Sequence, residues 1–168
     1  TRAPRFRLEA ENIRDLALAV GGLLNRKIGG PSVYPYQPPG LWMQVAFEGT
    51  RDYVQSTGAD TYRRGLYTYW RRSIPYASFT TFDAPTREVC TVRRPRTNTP
   101  LQALNLMNDP VYVEAARAFG QRILTQGGPA LDDRILYACR VALGRKPTDA
   151  EKAVLRGTFE REFARYSR

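Results

Sequence analysis

The chain contains no histidine. That absence removes imidazole acid–base chemistry, histidine-containing triads, histidine zinc ligands and histidine haem ligation from anything the chain supplies by itself. Cysteine is nearly absent as well. Cys90 and Cys139 stand far apart and form no CxxC pair, so no metal site is expected, neither zinc nor iron–sulfur. Both thiols read as buried, free, small apolar residues, with pairing in an oxidising compartment as the alternative. No run of about 18 apolar residues exists, which argues against a membrane-spanning helix. Acidic residues are few, 16 against 26 basic ones, for a net charge of +10. Lysine is rarer still: Lys27, Lys146 and Lys152 stand against 23 arginines. Arginine suits planar, two-pronged contacts with carboxylate, phosphate or sulfate and stacks on aromatic rings. A solvated surface combined with genomic coding bias is the competing explanation.

What is present is an ordinary globular composition, 42% apolar and 25% charged over 168 residues, enough for one domain over 1–168 with a sizeable core. The sequence opens at Thr1 with no Met and no signal-like apolar segment, so a fragment or a processed product is expected.

Helical periodicity dominates both ends. Residues 9–25 predict a helix with Ile13, Leu16, Ala17, Val20, Leu23 and Leu24 inward. Gly29–Gly40 (GGPSVYPYQPPG) holds four prolines and three glycines and must be irregular. It reads either as a loop packing Tyr34 and Tyr36 onto the core or as a rigid aromatic wall beside a cleft. Leu41–Phe47 is a short apolar run, helix or strand. Asp60 predicts a helix over Thr61–Arg72 with Tyr62, Leu66, Tyr69 and Trp70 on one stripe. From Ile74 to Asn98, Pro75, Pro85 and Pro95 predict extended or looped chain. Thr99, Pro100 and Gln102 then form a capping box for a helix to about Met107, and Asp109-Pro110 starts another with Tyr112, Ala115, Ala116, Phe119 and Ile123 inward. Gly127, Gly128 and Pro129 end it. Asp132 or Asp133 opens the next, with Ile135, Leu136, Cys139 and Leu143 inward and Gly144 as its stop. Thr148 and Glu151 cap a last one, with Val154, Leu155, Phe159 and Phe163 inward. The expected fold is mainly α: about five to six helices, a long proline- and aromatic-rich irregular central segment, and little or no sheet.

The chemistry concentrates between Thr61 and Asn98, where eight arginines face only Asp83 and Glu88 and interleave with seven aromatic residues. Such a mixture suits a ligand with a flat apolar face and negative charge, a sulfated or uronic glycan or a single nucleic-acid strand. The alternative is a core of aromatics with arginines bridging carboxylates. Candidate ligand residues are Arg63, Arg64, Arg93, Arg94, Arg96, Tyr36, Tyr62 and Trp70. Asn98 and Thr99 join them, because free amides at a helix start complement an anion. Asp83, Glu88 and Cys90 are the groups able to do acid–base or nucleophilic work, with arginines lowering their pKa values. Two carboxylates across a cleft would support glycoside cleavage. The competing expectation pairs Asp83 with Arg87, and Glu88 with Arg93 or Arg94.

Thr81–Pro110 (TFDAPTREVCTVRRPRTNTPLQALNLMNDP) resembles a domain of unknown function, number fifteen-fifty-three, found C-terminally in large secreted proteins of planctomycetes and related bacteria. Pro31–Trp42, Gln55–Arg72 and Tyr137–Glu151 are similar to the same family. The resemblance implies a periplasmic or secreted setting and a companion domain, often alongside a cytochrome c-like one. Any haem would belong to that other part of the parent, since no CxxCH motif is present and no cofactor is expected in this chain. It supplies no catalytic residues. With the arginine- and aromatic-rich stretch beside the Thr99 helix, the expected function is a non-catalytic or accessory domain that binds an anionic or sulfated glycan or docks its companion. A carbohydrate-active enzyme using Asp83 and Glu88 is the alternative. Nucleic acid is the least favoured partner, because the setting is exported and lysine-rich tails are lacking.

Overall fold

The computed structural model describes residues 7–45 and 53–167. Among these it is mainly α, with six helices: α1 (Ala10–Gly21), α2 (Ala77–Thr81), α3 (Pro100–Asn108), α4 (Pro110–Gln126), α5 (Leu131–Leu143) and α6 (Asp149–Tyr166). No sheet forms among the described residues. Two isolated parallel bridges, Asn25 with Arg63 and Val33 with Thr68, tie the central excursion together.

Helix α1 is shorter than its periodicity predicts, because Gly22 adopts a left-handed conformation (φ 78°) and turns its N–H back to the carbonyls of Leu18 and Ala19. Leu23 and Leu24 therefore pack from beyond the helix. The inward line is Ala10, Arg14 and Leu18, spaced four residues apart, while Leu16 points to solvent. A buried arginine in the middle of that line is something a periodicity of apolar residues cannot reveal. Arg14 donates to the carbonyls of Arg63 (2.6 Å) and Thr61 (2.7 Å), so its charge is solvated by backbone rather than by water.

Helices α1 and α4 cross at the centre. Their closest approach is at Gly21, where an added Cβ would lie 2.8 Å from the carbonyl oxygen of Ala115. One core cluster joins Ala10, Tyr76, Phe79, Phe82, Ala84 and Tyr112, and a second joins Leu18, Val111 and Ala115. On α4 the inward residues are Val111, Tyr112 and Ala115; Ala116 is exposed, contrary to the sequence expectation.

The predicted helix over Thr61–Arg72 does not form. Two single 3₁₀ turns, Gly58–Tyr62 and Gly65–Tyr67, stand there instead. Tertiary contacts outweigh the helical pattern. The Asn25 N–H donates to the Tyr62 carbonyl, the Val33 N–H donates to the Tyr67 carbonyl, the Tyr69 N–H donates to the Val33 carbonyl, and the Gly65 N–H donates to Asp15 Oδ1 at 2.6 Å. Leu66 consequently lies exposed and the expected stripe is broken. Trp42–Val45 is a 3₁₀ turn, and the remainder of the Leu41–Phe47 run lies outside the described residues. Between Ile74 and Asn98 the expected loop contains the short helix α2, which places Phe79 in the core.

The C-terminal helices follow their caps. Asp109 Oδ1 accepts the Val111 N–H at 2.9 Å to start α4, Thr148 and Glu151 form the capping box of α6, and left-handed Gly144 stops α5. Helix α5 begins at Leu131 behind Ala130, so Asp132 and Asp133 sit in its first turn rather than capping it. Ile135 and Cys139 are buried but Leu143 is exposed. Helix α6 packs on α5 and buries none of its residues; Val154, Leu155, Phe159 and Phe163 are all exposed, against expectation. Leu155 and Phe159 line an open apolar groove with α4 and α5, and among the described residues no further layer covers it.

Candidate functional site

The arginine-rich signature folds into a groove of about 320 Å³. Its walls include Arg7 and Glu9 from the lead into α1, Asp83 after α2, and Arg93, Arg94 and Arg96 from the loop before α3. The sequence reading had the last four of these groups. It missed Arg7 and Glu9, because a separation of more than 70 residues leaves no local signal.

The arginines are not equivalent. Arg94 grips Glu11 with both guanidinium nitrogens (2.6 and 3.1 Å) and reaches Glu9 at 3.3 Å. Partial burial pushes the Glu11 carboxyl up, but the hydrogen bonds and charge of Arg94 outweigh it and hold the group below its ordinary value. Arg7 donates to Gln102 Oε1. Arg93 is exposed and makes no hydrogen bond or ion pair with a described residue. Of these three, Arg93 is therefore the cation that remains open to a partner.

Asp83 is committed within the protein. It sits in the left-handed region (φ 64°) and accepts the Thr97 N–H at 2.7 Å and the Thr97 hydroxyl at 2.8 Å. Burial is the largest single influence and raises its pKa, but the two bonds from Thr97, the charge of Arg7 and a bond from Gln102 together reverse this, leaving it below its ordinary value. The expected Asp83–Arg87 and Glu88–Arg93/Arg94 pairs are absent among the described residues. Arg87, also left-handed, instead stacks its guanidinium 4.6 Å from the Trp70 ring. Glu88 and Cys90 are both exposed and neither lines the groove, so the two candidate carboxylates are not brought together and Cys90 is not the buried thiol expected.

Gln102 links the groove to α3. Only 2% exposed, it accepts the Thr99 N–H (3.2 Å) and donates to the Thr81 carbonyl (3.0 Å) and the Thr97 hydroxyl (3.1 Å). Two of the amides an anion would use before α3, those of Thr97 and Thr99, are thus already spent on Asp83 and Gln102. Asn98 is exposed beside them. The outer face of α3 is apolar: Leu101, Leu104 and Met107, three residues apart, are 60%, 51% and 64% exposed. The sequence does carry this signal, since LQALNLM has apolar residues on more sides than a nine-residue helix can bury.

The other predicted ligand residues lie elsewhere. Arg63 is buried and gives its guanidinium to the carbonyls of Lys27, Gly29 and Pro31. Arg64 pairs loosely with Asp15 at 3.7 Å. Tyr36 and Tyr62 pack on the Leu18 cluster, with the Tyr62 hydroxyl donating to Glu114 at 2.6 Å. Trp70 packs on the Phe79 cluster beneath Arg87. Among the described residues no helix is long and apolar enough to cross a membrane, and no three His, Cys, Asp or Glu groups come together to hold a metal.

No curated protein and no solved structure matches this chain. A family does match, over residues 1–159, and it takes in the groove and α3 as well as the central excursion. The chain belongs to the PSD1 family, proteins of unknown function (DUF1553).

Proposed function

We propose that this is a non-catalytic docking domain of a larger, exported protein, and that the groove and the outer face of α3 together bind a companion domain with an apolar, acidic surface. The observation that carries this reading is the exposure of Leu101, Leu104 and Met107 along one face of α3, the helix that directly follows the loop carrying unpaired Arg93. Contiguous exposed apolar side chains rimmed by charge mark protein interfaces, and arginine is favoured at them. An anionic glycan would use Arg93 but gains little from a leucine and methionine face. The enzymatic alternative draws no support from the geometry, since Asp83 is held by Thr97 and Glu88 lies away from it. The exported setting and a cytochrome c-linked companion remain part of this proposal.

The test adds this chain to the separately produced remainder of its parent protein and reads association by calorimetry, with a sulfated polysaccharide as the parallel ligand. Docking predicts binding to the parent remainder that Leu104→Glu and Met107→Glu abolish and Arg93→Ala weakens. Binding to the polysaccharide alone, lost in Arg93→Ala and unchanged in Leu104→Glu, would establish the glycan reading instead.

A further inference from the structure

A second cavity, of about 510 Å³, lies in the proline-rich excursion, away from the arginine groove. Tyr36, Gln37, Pro38 and Trp42 form one side, and Tyr53 and Gln55 the other. The size falls in the ordinary range for small-ligand sites. Its rings belong to a larger aromatic set: Trp42 lies 5.1 Å from Tyr53 and 6.0 Å from Tyr69, and Tyr34 stacks on Tyr69 at 4.8 Å. The prolines fix the backbone of the wall, so the rings are held without a regular element behind them.

Two side chains in this wall are more than nine-tenths buried and each holds one polar atom without a hydrogen-bond partner. Gln37 leaves the acceptor Oε1 unused and Trp42 the donor Nε1. Beside them, Arg71 lies with its guanidinium 5.1 Å from the Trp42 ring and one Nη1 also unpartnered. Buried polar atoms are almost always satisfied, and each left open costs about 1–3 kcal/mol. An open acceptor and an open donor thus belong to two residues that line one aromatic-walled cavity, and Arg71, outside the lining, holds a further open donor against the Trp42 ring.

We infer that this cavity is a saccharide-binding site. A pyranose ring offers an apolar C–H face to the indole and phenol rings, and its hydroxyls both donate and accept. It therefore answers Gln37 Oε1 and Trp42 Nε1 at once. Both atoms are covered in the unliganded chain although their residues line the cavity, so contact requires a side-chain rotation of the kind common on binding. Arg71 adds a donor that favours a ring bearing a carboxylate. This site is separate from the docking face, and neither proposal depends on the other.

The experiment follows the indole N–H resonance of Trp42 while cellotriose (neutral) or trigalacturonate (acidic) is titrated into the whole chain. The chain has two tryptophans, so Trp70, under Arg87, serves as the internal reference. The site predicts a saturable shift of Trp42 and not Trp70 with at least one of the two sugars. Gln37→Leu weakens that binding at least tenfold, and Arg71→Gln weakens only the acidic sugar. Should Gln37→Leu fail to fold, Gln37→Met, which keeps the length of the side chain but removes the amide acceptor, serves the same comparison. Absence of a Trp42 shift with both sugars overturns the proposal, as does an affinity unchanged by the Gln37 substitution.

Discussion

Arg94 and Glu11, 83 residues apart, are joined by two hydrogen bonds, Arg94 Nη1 to Oε2 at 2.6 Å and Nη2 to Oε1 at 3.1 Å. This pair fastens the signature loop to the first turn of α1 and closes one wall of the groove. Its carboxylate is largely sheltered, at 17% side-chain exposure, against 28% for the arginine.

Arg94→Ala should therefore cost more than an exposed ion pair does, roughly 1–3 kcal/mol of unfolding free energy, because it leaves Glu11 half-buried without its cation. Chemical denaturation read by circular dichroism measures it. A loss below about 0.5 kcal/mol would mean that the loop is held by other contacts.

The same pair sets a pH dependence. The folded Glu11 carboxyl lies below its ordinary value, so it binds its proton more weakly folded than unfolded. Its contribution is complete above the unfolded value of about 4.3 and is lost as pH falls through the lower folded one. Asp83, depressed by Thr97, acts in the same direction. Stability should fall on acidification below about pH 5, and in Arg94→Ala the fall should be shallower. Melting temperatures across that range for both proteins check the sign.

Gly21→Ala should destabilise despite the better helix propensity of alanine. Gly21 has an ordinary helical backbone, so strain is not the reason. The new Cβ would meet the Ala115 carbonyl at 2.8 Å and force α1 from α4. Overpacking of this kind costs about 1–3 kcal/mol, against a propensity gain of about 1. A thermal melt showing increased stability would mean that the two helices can separate freely.

Arg14→Ala should be the most damaging of these changes, about 3 kcal/mol or more. It removes a large buried side chain and leaves the Arg63 and Thr61 carbonyls without their donors. Equilibrium unfolding decides it. Arg14→Met, which restores volume but no donor, should recover only part of the loss.

The helices from Thr99 onward were legible because their start and stop signals are local: Thr99, Asp109, Thr148 and Gly144 all act as read. The central excursion was not. Tyr62, Leu66, Tyr69 and Trp70 have helical spacing, yet bridges to Asn25 and Val33 hold that segment as turns. Arg14 and Arg63 escaped notice for a related reason. Their partners are backbone carbonyls, and a sequence does not show where carbonyls converge. In the groove, Arg93, Arg94, Arg96 and Asp83 were legible as a local cluster, whereas Arg7, Glu9 and Glu11 join it only through the packing of α1. The exposed face of α6 was read as inward because amphipathic spacing identifies an apolar face without saying whether this chain supplies its cover.

The docking claim rests on α3, and hydrogen–deuterium exchange tests it most directly. Exchange across Pro100–Asn108 is compared between this chain alone and the full-length parent protein. The claim predicts slower exchange over α3 and the Arg93–Asn98 loop in the parent, with Leu104→Glu returning both to the rates of the isolated chain. Identical exchange over α3 in the two proteins would contradict it.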